Sequence, residues 1–412
     1  MRLVPARLIE VAVPARLGTN YRWLLSGTLV DNIGDGVALA AGPLLVASLT
    51  RDPFLVSMAL LAQWLPMLLF GVIGGVVADR VDRRRMVVLV NLGRAMVLTV
   101  LVGLIVSGTV NIGLVLGVLF LLGTAETFAD SASSTLTPSL VARADLGIAN
   151  ARMQGAYLAM NQLIAPPIGA FLFAAGMALP FATNAVAFVL GALLISRIAG
   201  SMRGERAAPA SVWADMVEGI RWLVGHPPMR TLVLTIFAFN VTYGAAWAVL
   251  VLYALERLAM DEVGFGLLTT AIAIGGVIGM VSYGALERRF SLADIMRGGL
   301  LIETGTHLSL ALTNSPAVAL VTMVVFGAHA FVWGTTATVI RQRAVPNALL
   351  GRVGGVYRVG VVGGLVIGAP IGGLLAGAFG ITAPFWFGFA GSALLVVLLW
   401  RQFEHIAHAE AD

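Results

Sequence analysis

Long apolar runs separated by short polar breaks take up almost the whole chain. They fall near 21–49, 54–78, 86–107, 111–139, 148–175 and 178–198, and again near 229–256, 262–285, 292–313, 316–341, 351–379 and 383–401. As helices rising about 1.5 Å per residue, runs of this length cross a hydrocarbon layer about 30 Å thick. The pattern therefore predicts an all-α membrane protein with twelve transmembrane helices, and an even number of crossings puts both chain ends on one side. The arginines sort with the breaks. On the side of the termini lie Arg80, Arg83, Arg84, Arg85, Arg143, Arg152, Arg288, Arg289, Arg297, the group from Arg341 to Arg358, and Arg401; the other side holds Arg51 and Arg257. Positive charge accumulates on the cytoplasmic face of membrane proteins, so the asymmetry predicts cytoplasmic termini.

Organisation follows from the same pattern. Residues 1–20 carry Arg2, Arg7 and Arg16 without a sustained apolar stretch, and read as a cytoplasmic interfacial segment rather than a cleavable signal. Residues 21–198 form a first six-helix bundle and 229–401 a second, with a cytoplasmic tail at 402–412. Between the bundles, 199–228 is a soluble linker. Within it Trp213, Met216, Val217, Ile220 and Leu223 or Val224 share one helical face behind a capping Ser211, which predicts an amphipathic helix at the inner membrane surface.

Composition narrows the class. Of the 412 residues 59% are hydrophobic and 11% charged, and the mean hydropathy is +0.93, well beyond the needs of a soluble core. No cysteine is present, which excludes disulfide, thiolate and cysteine-ligated metal chemistry, and no metal or cofactor site is legible. All 26 basic residues are arginine. A net charge of +5 would suggest nucleic acid in a soluble protein, but here the arginines sit in loops between apolar spans and set topology; no nucleic-acid partner is expected. Without a single lysine there is no phosphate-binding loop of the nucleotide-driven pumps, and no nucleophile, base and orienting group converge as an enzyme would require.

The halves are related. A shift of 204 residues superposes Gly71 on Gly275, Gly75 on Gly279, Arg84 on Arg288, Arg85 on Arg289, Leu146 on Leu350, Gly147 on Gly351, Ala165 on Ala369, Pro166 on Pro370 and Gly169 on Gly373. Loop and helix residues keep one register, as expected of a duplicated six-helix unit. The proline and glycine elements of span five (Pro166, Gly169) and span eleven (Pro370, Gly373) mark bends where backbones approach closely.

Residues 71–85 end a glycine-rich span in a knot of charge. Gly75, Asp79, Arg80, Arg83 and Arg84 are spaced like the loop between helices two and three of the major facilitator superfamily, with Asp82 in place of that signature's second glycine. The stretch Gly219–Leu223 followed by His226, Pro227 and Pro228 resembles the linker of third-class drug:proton antiporters, the group of macrolide and siderophore exporters, and Val345–Gly373 resembles the same class. The resemblance spans essentially the whole chain. It implies two pseudo-symmetric bundles working by alternating access, a central cavity lined by helices one, four, seven and ten, and a gating loop in which Asp79 meets the start of helix eleven.

Ionisable groups inside a membrane span cost roughly 2.5 to 3.5 kcal/mol each on insertion scales, so each is a functional candidate. Asp31 and Asp35 lie one helical turn apart on span one, as do Glu126 and Asp130 on span four. Counting inward, Asp35 and Glu126 fall about 21 and 20 Å from the cytoplasmic end, and Asp31 and Asp130 about 15 and 14 Å. Two levels of acid should share protons at low dielectric; alternatively, Asp31 and Asp130 bond to Asn32, Ser131 or nearby backbone. The acids are not duplicated, since at the 204 offset they meet Thr235, Phe239, Ala330 and Gly334. Span seven offers Phe239, Asn240, Tyr243 and Trp247, and span ten His329 and Trp333, aromatics suited to a bulky ligand or to packing. Glu303 and His307 on span nine read as an internally satisfied pair, and Arg94 as a cation that snorkels or pairs with an acid.

The expectation is a proton-coupled exporter of hydrophobic or amphipathic small molecules in the bacterial cytoplasmic membrane, monomeric, with protons and the bilayer as its other partners. The rivals are an uptake symporter of a small metabolite and a lipid-handling or non-transporting membrane protein.

Overall fold

The structure is a computed structural model that describes residues 15–200, 202 and 212–407, apart from the side chain of Asp79 and those of a few residues bordering undescribed stretches. Ser211, most of the 1–20 segment and the end of the tail lie outside the described residues.

Long helices carry most of the described residues. They are α1 (Gly18–Leu49), α2 (Pro53–Arg80), α3 (Arg83–Val106), α4 (Ile112–Leu140), α5 (Leu146–Ala156, Tyr157–Ile164 and Ala165–Ala175 in one run) and α6 (Leu179–Ser196). A linker helix (Val212–Gly225) leads to α7 (Pro227–Trp247), α8 (Glu262–Arg289), α9 (Leu292–Leu312), α10 (Pro316–Ala344), α11 (Leu350–Phe379), α12 (Ala383–Leu399) and a short tail helix (Gln402–Ala407). Among the described residues ten of them are long and apolar enough to cross a membrane. The other two are α9, with Glu303 and His307 inside it, and α12, which has 17 residues. The chain is a multi-pass, all-helical membrane protein.

Two predicted spans are interrupted. In α5 the middle piece, Tyr157–Ile164, is wound as a π-helix just before Pro166, whose ring nitrogen donates no bond to the preceding turn. The run predicted over 229–256 breaks after Trp247; a short turn, Leu250–Leu252, and a π-turn, Tyr253–Arg257, follow.

The chain forms two compact units. One contains α1 up to Leu45 and the chain from Leu69 to the linker; the other contains Val46–Leu68 and everything from the linker helix onward. The division departs from a cut at the linker alone because the first turns of α2 pack on α11: a Cβ added to Gly373 would lie 2.7 Å from the Phe54 Cα. In the second unit, glycines let helix backbones meet. Gly364, Gly368 and Gly372 of α11 face the carbonyls of Phe237, Val241 and Ala245 on α7, and Gly275 and Gly279 of α8 face those of Val324 and Ala328 on α10. Their counterparts in the first unit, Gly71 and Gly75, face open space; Gly74 is the residue against α4, where an added Cβ would lie 2.9 Å from the Ser131 hydroxyl.

The linker helix packs on the start of α11. Ile220 and Val224 are exposed, whereas Gly219 and Leu223 are buried. Arg352 at the start of α11 reaches Asp215 at 2.7 Å and Glu218 at 2.9 Å. Gly219 leaves the room this needs, since a Cβ there would sit 2.9 Å from the Arg352 carbonyl.

Candidate functional site

In the first unit, three helices bring ionisable side chains to one place. Asp31 and Asp35 sit one turn apart on α1, Asn91 and Arg94 three residues apart on α3, and Glu126 and Asp130 one turn apart on α4. Asp35 accepts from the Arg94 guanidinium at 2.6 Å; the arginine side chain is 6% exposed and the aspartate 23%. The guanidinium carbon also lies 4.0 Å from the centroid of the Phe188 ring on α6. Glu126, Asp31 and Asp130 all act electrostatically on both members of this pair. Arg94 thus pairs with Asp35 and feels the charge of three further carboxylates. Its pairing settles the choice left by the sequence between a snorkelling and a paired arginine.

Asp31 lies deeper. Its Oδ2 accepts from Asn91 at 2.8 Å, while Oδ1 is buried without a partner. The neighbouring Asn32 donates instead to the Thr28 carbonyl, and Ser131 to that of Thr127. Gly191 of α6 is pressed against the Asp31 carboxylate, and a side chain there would collide with it. Glu126 and Asp130 are exposed within the chain. Carboxylates one turn apart thus differ in accessibility from α4, where they are open, to α1, where Asp31 is closed in.

The π-helical stretch of α5 completes the surroundings. Tyr157 feels the charges of Glu126, Asp130 and Asp35, and its hydroxyl accepts from Gln162 at 3.1 Å. Gln162 also donates to Asn161 at 2.6 Å. The small residues of α5 hold this stretch on α1: Gly169 meets the Val37 backbone, and Gly36 meets that of Asn161. Gly169 therefore lets α5 lie close against α1. Asn91, Tyr157 and Gln162 carry no charge signal in sequence; the π-helix that turns Tyr157 toward the acids is the feature sequence periodicity misses.

The loop after α2 is braced from its far end. Asp82 caps α3 by accepting from the Arg85 N–H at 3.1 Å and also accepts from the Met202 N–H at 3.1 Å. The Arg83 N–H donates to the Met202 carbonyl at 3.2 Å, and Arg84 to the Ile198 carbonyl. Burial alone would raise the Asp82 pKa, but the two N–H donors and the Arg84 and Arg85 charges outweigh it and hold the carboxyl below its ordinary range. With φ at −68° the position has no need of glycine, and an aspartate there serves as a cap. Arg80 is exposed at the end of α2, and the Asp79 side chain lies outside the described residues.

The aromatic residues of the second unit stack on one another. Phe239 lies 6.4 Å from Trp333 and 6.3 Å from Tyr243, and Trp247 lies 4.2 Å from Tyr243 and 4.7 Å from Phe326. Phe239, His329 and Trp333 are buried inside the unit, while Tyr243 and Trp247 are partly exposed. The Asn240 amide donates to the Ile236 carbonyl of its own helix at 2.7 Å. Of the six, Tyr243 and Trp247 retain accessible surface for a ligand. Pro370 lies in α11 between Gly368 and Gly372, at its closest approach to α7.

Residues 13–412 match a family model described as transmembrane secretion effector. Over 346 residues the chain is 29% identical to the multidrug efflux pump Tap of Mycolicibacterium fortuitum, covering 81% of this chain and 83% of that one. It is 26% identical over 348 residues to the enterobactin exporter EntS of Shigella boydii serotype 4, covering 82% and 80%. Among solved structures, a bacterial homologue of the iron transporter ferroportin matches with a TM-score of 0.74 at 20% identity, over 94% of this chain and 98% of that one. The nucleoside transporter NupG matches at 0.70 and 12% identity, over 94% and 99%. At those identities the structural matches establish the fold.

Proposed function

The chain belongs to the transmembrane secretion effector family of major facilitator transporters, and on that premise we propose that it is a proton-coupled exporter of hydrophobic or amphipathic small molecules. Drugs, macrolides and siderophores are the substrate classes this reading favours, in keeping with relatives named a multidrug efflux pump and an enterobactin exporter. In this reading twelve spans form two six-helix halves that alternate access across the bacterial cytoplasmic membrane. The termini, the linker and the 79–85 loop face the cytoplasm, with the loop acting as a gate, and the protein works as a monomer.

The observation that carries the proposal is the centre on Arg94. Asp35 pairs with the Arg94 guanidinium and three further carboxylates act on it electrostatically, so full ionisation leaves a net negative charge around one cation, and binding a proton relieves it. Protonation of Asp35 breaks its pair with Arg94 and leaves the cation to Glu126, Asp31 and Asp130. The arginine therefore has alternative partners, which is what an element switching between two states requires. Glu126 and Asp130 face water rather than lipid in this account, since a carboxylate in hydrocarbon is costly, and they pass protons inward to Asp35. A cationic or polar group on the substrate competes with those protons for the same carboxylates.

The test is transport into everted vesicles with an imposed pH gradient, across a compound panel of macrolides, lipophilic cations and catecholate siderophores. Accumulation should follow the gradient and collapse with a protonophore. Gradient-driven accumulation undiminished in Asp35→Asn and Glu126→Gln would refute the assignment of the coupling site.

A further inference from the structure

The second unit contains a buried ionisable cluster that the proposed coupling does not use. Glu303 and His307 lie one turn apart on α9, and His329 faces them from α10. The Glu303 Oε1 lies 3.0 Å from the His307 Nε2, and the Oε2 lies 3.4 Å from the His329 Nε2; the three side chains are 0%, 0% and 1% exposed. The cluster is underbonded. Glu303 Oε2, both imidazole Nδ1 atoms, His329 Nε2 and the nearby Trp333 Nε1 are buried without a hydrogen-bond partner.

Among the described residues, no other charge is placed against the carboxylate. From α12 the His307 ring meets Gly388, and Ala383–Leu399 contains no ionisable residue. From α7 come Trp247, edge-on to His307 at 6.3 Å, and Phe239, 6.4 Å from His329, with the Tyr243 phenol stacked beyond it. From α10 come Phe326 and Trp333, each within 6.2 Å of the His329 ring. The ionisable residues of α8 (Glu262, Tyr283, Glu287, Arg288, Arg289) lie at its start and in its last two turns. On α9 itself Arg297 is six residues before Glu303 and is engaged by Asp294, Glu404 and the Trp400 carbonyl. The tail helix brings Glu404 and His405, with Phe403 against Trp333.

Charge counting then decides the protonation. With both imidazoles neutral the cluster buries a lone anion; with both protonated it buries a net cation; with one proton shared among the three groups it is neutral. An apolar interior penalises the charged alternatives. Each buried Nδ1 lacks a partner in either protonation state, so the geometry singles out neither histidine as the exclusive holder of the proton. Apolar side chains would fill this core position without leaving polar atoms orphaned.

We propose that Glu303, His307 and His329 form a second proton-binding centre, holding one proton between the carboxylate and the two imidazoles and exchanging it during the transport cycle. The exchange rests on the proposed proton-coupled export; the binding does not. Because Trp247, Phe239 and Trp333 pack on the imidazoles, loss of the proton alters the packing of α7 and α10 against α9.

The experiment is ¹⁵N NMR of histidine-labelled protein in lipid nanodiscs, between about pH 6 and 8. The chain has five histidines, and His307→Gln and His329→Gln assign the two resonances of interest. The expected result is an imidazolium signal distributed over His307 and His329 across that range, abolished in Glu303→Gln. Two neutral imidazoles with fixed tautomers in the unsubstituted protein would overturn the proposal, whether or not the variants fold. A proton-flux assay separates the two centres: if Asp35→Asn leaves coupling intact while the imidazolium signal is present, the first-unit assignment fails and this one stands.

Discussion

Replacing Arg94 with leucine removes the cation from a pair held at 2.6 Å with only 6% of the arginine side chain exposed. At an effective dielectric constant near 20, attraction at that separation is about 6 kcal/mol, much of which offsets the desolvation of the two ions. Removing one partner of a buried pair costs about 3–5 kcal/mol, because the other charge is left stranded. The partial exposure of Asp35 pulls the figure toward the lower end. The neighbouring Glu126, Asp31 and Asp130, which also lose their counter-charge, pull it toward the upper end. Asp35→Asn alone costs less, since Arg94 keeps three acids and the Phe188 face. The double variant should therefore be at least about 2 kcal/mol more stable than the sum of the two single changes predicts. Unfolding of the purified protein by SDS in mixed micelles, followed by far-ultraviolet circular dichroism, measures all four corners of the cycle. Additivity within about 0.5 kcal/mol would refute the reasoning, because independent sites add to that tolerance.

Three further outcomes follow from the same structure. Gly275→Ala should cost about 1–3 kcal/mol in the same unfolding assay, because the new methyl group meets the Val324 backbone and neither helix can yield locally, whereas Gly276→Ala, with open space around it, should stay within about 0.5 kcal/mol. The Asp82 carboxyl is held below its ordinary pKa, so the stability it contributes is present above that ordinary value and is lost as pH falls through the folded one. The protection factors of the Arg85 and Met202 amides, taken against the intrinsic exchange rate at each pH, should accordingly fall on acidification below about pH 4, and Asp82→Asn should flatten that dependence at a cost of about 1 kcal/mol. Arg352→Gln should release the linker helix by about 0.5–1 kcal/mol, seen as faster amide exchange across Val212–Gly225, and high salt should produce much of the same effect in the unsubstituted protein because the Arg352 pairs are partly exposed.

Much of this architecture is legible in the chain because a bilayer imposes one strong rule, that apolar length equals helix length. Predicted spans such as 54–78 and 111–139 correspond to Pro53–Arg80 and Ile112–Leu140 to within a few residues. The acids could be found for a related reason: an Asp or Glu inside such a run is conspicuous. The partners are less conspicuous. Asn91 and Tyr157 are uncharged, and their roles depend on the approach of α3 to α1 and on a π-helical turn, neither of which leaves a mark in hydropathy. His329 gave no sign that it would meet Glu303, because tertiary contact between α9 and α10 is not written in spacing.

The most direct measurement of the central claim is proton movement itself. Proteoliposomes loaded with a pH-sensitive dye and given a transported compound without any pre-formed gradient should show a pH change of opposite sense to substrate flow, scaling with the amount of compound moved. The signal should be absent in Asp35→Asn. Substrate movement with no accompanying pH change in the unsubstituted protein would contradict the account.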